Sequence, residues 1–259
     1  MQLALIRKDL GGITGNRNIM SVMLILPLVF TVFFPTIFIL LLHFAPQETG
    51  DLQKMLELLP LSEQSGDMMR DTLRLLLNRV MPIFFMLIPI MAASVMAASS
   101  FVGEKEKRTL ETLIYCPLSL KQIFQAKIFA SFALSMLVSF GSFLLMVVVT
   151  QVELYLTLGS LIMPDAVWLI TMLLLAPALS IIAITIIVRG SAKARTMEES
   201  QQRSIFLILP ILLLIVGQFT GLMLVNAWIL LALGAALAVA AVVLIRLAVR
   251  KLDYEALFR

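Results

Sequence analysis

Apolar residues run along this chain in long unbroken stretches rather than in alternation. Six stretches approach or exceed the roughly 20 residues that a helix needs to cross a bilayer: 19–42, 81–101, 128–150, 166–188, 204–224 and 228–245. Strands of a membrane barrel would alternate over about 10 residues, so the pattern predicts helices. The last two stretches are parted only by Val225, Asn226 and Ala227. Taken as one helix they would span about 40 residues, too many for one crossing, so a tight hairpin at Asn226 is expected.

Between the first two stretches, 43–80 carries two shorter segments with helical apolar spacing, DLQKMLELL and DMMRDTLRLLLNRV. Pro60 and the cluster at 62–66 separate them. They predict two short helices on a membrane surface. The opening segment, 1–18, mixes apolar and basic residues before Gly11, Gly12 and Gly15 and predicts a short amphipathic interfacial helix.

Composition agrees with this layout. Of 259 residues, 61% are hydrophobic and 14% charged, and mean hydropathy is +1.02. Soluble domains are about half apolar and a quarter charged. The fold class expected is an all-α integral membrane protein with six transmembrane helices. The first apolar run is too long for a signal-peptide core and lacks a small-residue cleavage site. The net charge of +4 is accounted for by topology signals, so no nucleic-acid partner is expected.

Lys and Arg fix the expected orientation. One side collects sixteen: Arg7, Lys8 and Arg17; Lys105, Lys107, Arg108, Lys121 and Lys127; Arg189, Lys193, Arg195 and Arg203; Arg246, Arg250, Lys251 and Arg259. The other has Lys54, Arg70, Arg74 and Arg79. Both termini, the loop 102–127 and the tail 246–259 are therefore expected in the cytoplasm of a cell inner (plasma) membrane. The single cysteine, Cys116, excludes an intrachain disulfide.

The apolar stretches as bounded above hold no Asp, Glu, Lys, Arg or His, which argues against a proton-coupled carrier. No G-x-x-x-x-G-K-[ST] phosphate loop, no metal-ligand spacing and no nucleophile–base pair is present, so no catalytic residue, metal or cofactor is assigned to this chain. Pro27, Pro35, Pro82, Pro89, Pro177 and Pro210 should bend their helices. Phe30 and Phe34, and the polar Gln218 and Thr220, are candidate pathway-lining residues. Ala232, Gly234, Ala236 and Ala238 offer small residues for close helix packing.

The most charged segment, EKEKRTLETLIYCPLSLKQIFQAK (104–127), predicts a helix, a sharp turn and a second helix. Glu104 and Arg108, and Lys107 and Glu111, are four apart. Pro117 closes the first helix. Ser119 and Gln122 form a capping box for the second, with Leu118 and Ile123 as its hydrophobic staple. Thr196 and Glu199 form another box before the fifth stretch.

Six spans with both ends inside, a basic amino-terminal helix, E-K-E-K-R-T-L-E and then C-P-L-S and a Lys resemble the type-2 ATP-binding-cassette (ABC) exporter permeases. The family pattern after the second span is roughly E-x-E-[KR]-G-T-L-E, then T-P or similar, then Gly-Lys or Ala-Lys. Glu104, Glu106, Lys107, Thr109, Leu110, Glu111, Pro117, Ala126 and Lys127 match it, and Arg108 departs from the usual Gly. The resemblance implies a permease subunit that dimerises, as a homodimer in the simplest case, and works with two copies of a cytoplasmic ABC ATPase that holds ATP and Mg. It implies a cytoplasmic coupling helix after the second span, with Glu104, Glu106, Lys107, Arg108, Thr109 and Glu111 as ATPase-coupling residues. It also implies a pathway on the two-fold axis lined by spans one, two and five. The cargo implied is a hydrophobic drug, a peptide antibiotic, an ion or a lipid-linked group. A non-transporting assembly or sensor subunit of the same fold, such as a cofactor-maturation factor, is the alternative.

Overall fold

The computed structural model describes residues 8, 11–12, 15, 17–44, 67–106, 120–191, 193–194, 196–220 and 226–250. The coupling-helix segment 107–119, most of 1–18, the first loop segment DLQKMLELL and the end of the tail lie outside the described residues. Among the described residues, six helices are long and apolar enough to cross a membrane: α1 (Ile19–Phe44), α2 (Met68–Glu106), α3 (Leu120–Leu158), α4 (Ala166–Ser191), α5 (Met197–Phe219) and α6 (Ala227–Ala248). Among the described residues there is no strand.

The helices overrun the apolar stretches that announce them. The segment 68–80, expected as a separate surface helix, continues directly into the second span. Asp67 starts it by accepting from the Met69 and Arg70 amides, and Leu73, Leu75, Leu76 and Leu77 are then buried around most of the helix. The amphipathic spacing that suggested a membrane surface serves instead to seat this segment on the protein core. α3 also extends beyond its apolar run and takes in Lys127 and Glu153.

Prolines shape three spans in one way. Pro35, Pro82 and Pro177 each follow, by two residues, a π-helical turn at Val29–Phe33, Leu76–Val80 and Thr171–Leu175. A proline in a regular helix clashes with the carbonyl four residues back. The wider turn relieves that clash: Phe34, Met81 and Ala176 donate five residues back, to Val29, Leu76 and Thr171. Pro89 acts differently, and the helix breaks three residues before it, at Met86. α3 contains no proline and runs unbroken for 39 residues.

α2 is the centre of the molecule. Within its most apolar stretch 89% is buried, against 22% in α1 and α5 and 17% in α6. Two clusters of buried side chains, one around Met81, Phe85 and Met96 and one around Ile83, Ile90 and Ala97, join it to its neighbours. Phe85, Phe143 and Trp168 pack ring to ring across α2, α3 and α4, and Trp168 Nε1 donates to the Leu77 carbonyl at 3.0 Å. The exposed faces of α1, α3, α5 and α6 carry Phe33, Leu137, Phe206 and Trp228, as residues that meet lipid would.

α4 begins with a cap that also ties it to α2. Asp165 accepts from the Val167 amide at 2.9 Å, and its own amide donates to Asn78 Oδ1 at 3.2 Å. Asn78 Nδ2 reaches the Met163 carbonyl at 3.3 Å. Loss of an N-cap carboxylate costs about 1 kcal/mol. Asp165→Ala should therefore lower the melting temperature of the purified protein by roughly 2–4 °C, the shift usual for a chain of this size. An unchanged melting curve would show that the cap contributes nothing. α6 starts in the same manner, with Asn226 Oδ1 accepting from the Ile229 amide at 2.9 Å.

Candidate functional site

The chemistry of this chain concentrates at the end of α2, where an apolar helix emerges into charged residues. Val102 and Gly103 are still buried; Glu104 is half-buried; Lys105 and Glu106 are exposed. Each of these three charged side chains reaches a part of the chain remote in sequence. Glu104 Oε2 accepts from Lys127 Nζ at 2.6 Å and Oε1 from Lys8 Nζ at 3.1 Å. Lys105 Nζ donates to the Ala194 carbonyl at 3.2 Å. Glu106 Oε2 accepts from the Met197 amide at 3.3 Å. Thus the amino-terminal segment, the start of α3 and the segment between α4 and α5 all converge on 104–106.

Lys127 is the best-enclosed charge in the cluster. Its side chain is 5% exposed, and it also donates to the Ser100 carbonyl at 2.6 Å. Its ammonium stands 5.7 Å from the centre of the Phe101 ring. A buried lysine needs a paired carboxylate and further acceptors to offset its desolvation, and Lys127 has both. Lys8, more than half exposed, contributes the weak attraction usual at a surface.

The expected coupling residues therefore divide. Glu104 and Glu106 face inward contacts of the chain itself, whereas Lys107, Arg108, Thr109 and Glu111 lie outside the described residues. The cap expected at Thr196 is present: its hydroxyl accepts from the Glu199 amide at 3.2 Å. The partnership of Glu106 with the same helix start, and of Glu104 with Lys127 and Lys8, was not visible in the sequence, because the partners are 91, 23 and 96 residues away.

A second constellation is aromatic. Phe30 and Phe34 of α1 pack on Phe84 of α2, with ring centres 6.0 and 4.7 Å apart. Phe38 extends the row along α1 at 4.9 Å from Phe34, and Phe219 of α5 closes it at 6.3 Å from Phe84. These rings are half-buried, so the row is a seam between α1, α2 and α5 with one side open. Phe84 and Phe219 were missed in the sequence, where one Phe in an apolar run looks like any other. Gln218 and Thr220 do not form a pair: Gln218 is buried, while Thr220 is exposed and returns its hydroxyl to the Val216 and Gly217 carbonyls. Residues two apart on a helix face nearly opposite ways.

Glu153, near the far end of α3, accepts from the Thr36 hydroxyl of α1, while its other carboxylate oxygen is enclosed without a donor. Its place beyond the apolar run hid it from the sequence. Among the described residues no group of His, Cys, Asp and Glu could hold a metal ion.

Compared with known proteins, residues 3–228 match the model of a family described as ABC-2 family transporter protein. No curated protein and no solved structure matches the chain.

Proposed function

Since this chain belongs to the ABC-2 family of transporter proteins, and is thereby the multi-pass membrane permease of an ABC transporter that works with an ABC ATPase, we propose that it exports an apolar or peptide cargo. The observation that carries this reading is the convergence on 104–106. A segment that ties the end of α2 to three other parts of the chain is suited to receive a push from outside and pass it on. The polypeptide that pushes is the ATPase, which supplies the ATP and Mg chemistry. In this reading the motif end lies in the cytoplasm, two permease copies face one another, and the segment 107–119 docks on the ATPase. Lys107, Arg108, Thr109 and Glu111 then make the docking contacts, while Glu104 and Glu106 hold the docking helix to the spans. The half-open row Phe30, Phe34, Phe84 and Phe219 offers an apolar, polarisable wall to a greasy cargo.

The test reverses charge on the docking segment alone. Lys107→Glu/Arg108→Glu/Glu111→Lys should weaken capture of the ATPase from detergent extracts at least tenfold, since like charges now meet. ATP-driven uptake into inside-out vesicles should fall with it, while the purified permease melts as before. Undiminished capture and uptake would refute the docking assignment. Uptake that ignores ATP but follows an ion gradient would refute the ATP-driven reading.

A further inference from the structure

Taking the ATP-driven reading as its premise, we propose that α5 is latched to the end of α2 so that the two travel as one body, with Lys105 and Glu106 as the positioning residues of the latch. The sequence suggests a docking helix that drives α2 and α3, its immediate neighbours in the chain. The structure adds α5, which is not a chain neighbour of the docking segment.

Four contacts make the latch, and they lie at different heights along α2. Nearest the motif end, Glu106 takes the Met197 amide. That amide is one of the donors a helix start leaves without an internal partner, and a carboxylate there also complements the helix dipole. Lys105 holds the Ala194 carbonyl, just before the same start. One step deeper, Gly103 lies against Met197: a Cβ on residue 103 would come within 3.1 Å of Met197 Sδ. Deeper still, the buried hydroxyl of Ser204 donates to the buried hydroxyl of Ser94, which in turn donates to the Ile90 carbonyl.

From Ser94 to Glu106 is twelve residues, or about 18 Å of helix. One contact would leave a swivel, but contacts spread over that length hold the first turns of α5 against α2, as far as the turn at 203–204 that leads into Ile205–Phe219. Gly103 also leaves room for the Met197 side chain, whose sulfur would have to give by a few tenths of an ångström were a Cβ present. Beyond the latch, Ile211 and Ile215 of α5 stay in the buried cluster that contains Ile83 and Ile90 of α2. The other faces of α5, at Phe206, Leu209, Leu213 and Val216, are exposed. α5 is therefore held on the α2 side and open elsewhere, so a displacement of 104–106 carries it along.

The experiment uses the complete transporter in membranes, with Cys116→Ser as background and Gly103→Cys/Met197→Cys as the reporting pair. Copper phenanthroline should form the bond to the same extent with and without ATP and vanadate. Transport by the same variant should stay within about twofold before and after reduction. Failure of the bond to form, a yield that drops on trapping, or transport restored only by reductant would each overturn the latch. Crosslink yield needs no transport, so it judges the latch even where ATP-driven uptake, and with it the premise, fails. In parallel, Lys105→Ala/Glu106→Ala should retain ATPase capture and hydrolysis but lose about tenfold in cargo moved per ATP. Glu106→Gln, whose amide oxygen can still accept from Met197, should retain most of it. Loss of ATPase capture in the double variant, or no loss of transport, would mean these side chains act elsewhere.

Discussion

Glu104→Gln is expected to cost about 3–5 kcal/mol, the usual consequence of removing one partner from an enclosed ion pair. The argument rests on what remains. Lys127 keeps its bond to the Ser100 carbonyl and its place over Phe101, but its ammonium would lose the carboxylate that balances its charge in a site where its side chain is 5% exposed. The simultaneous loss of the Lys8 contact adds little, because that lysine is solvated. At about 1.4 kcal/mol per decade, the folded-to-unfolded ratio falls by about two to three and a half orders of magnitude. Glu104→Gln/Lys127→Met should recover most of the loss, since no uncompensated charge is then left in the enclosed site. Thermal unfolding of the purified protein, with its level in the membrane, measures both. Were Glu104 instead a free contact for the ATPase, the single variant would melt normally and only capture would suffer.

Gly234→Leu should detach α6. A Cβ at residue 234 would stand 2.6 Å from Leu174 Cδ2, 2.9 Å from Leu174 Cγ and 3.4 Å from Leu175 Cγ. The first two distances are too short for any carbon pair, so Leu174 must turn aside or α4 and α6 must part. Overpacking of this kind typically costs about 1–3 kcal/mol. The position magnifies it, because α6 is exposed on most of its surface and its buried Leu230 and Ala241 pack with α4 residues such as Leu175 and Ile182. Gly234→Ala should do less harm, because Leu174 is only partly enclosed and can turn away from a single methyl. Protease sensitivity of α6 in membranes should rise in the order Gly, Ala, Leu. Equal resistance in all three would show that the seam with α4 tolerates widening.

The six crossings were legible because lipid imposes a simple rule, and the apolar runs obey it. Their true lengths were not, because a helix end buried in protein has no such rule. The segment 68–80 is amphipathic, and the sequence alone cannot tell a protein core from a membrane surface as the partner of its apolar side. Close packing of α6 was legible in Ala232, Gly234, Ala236 and Ala238, and Gly234 does allow that approach. The motif 104–111 could be found by its charge, but what each acid holds could not. The local pairs expected from the spacing involve Lys107, Arg108 and Glu111, outside the described residues, and Glu104 and Glu106 in addition bond to residues brought near only by the fold. The aromatic seam failed for a similar reason: Phe30 and Phe34 belong to a visible cluster in one helix, while Phe84 and Phe219, which complete the row, come from two others and are brought to it only by the fold.

The π turns before Pro35, Pro82 and Pro177 leave the chain with three spare residues. Each widened turn holds one residue more than an α-helix would use over the same rise, so a single deletion there can be absorbed by tightening the coil, and the flanking faces keep their alignment. α3 has no such slack. One residue removed between Lys127 and Glu153 would turn everything beyond the gap by about 100°, drawing Glu153 away from Thr36 while Lys127 stayed with Glu104. Changes in length that α1, α2 and α4 can accommodate are thus closed to α3, and this helix sets the gauge for the others.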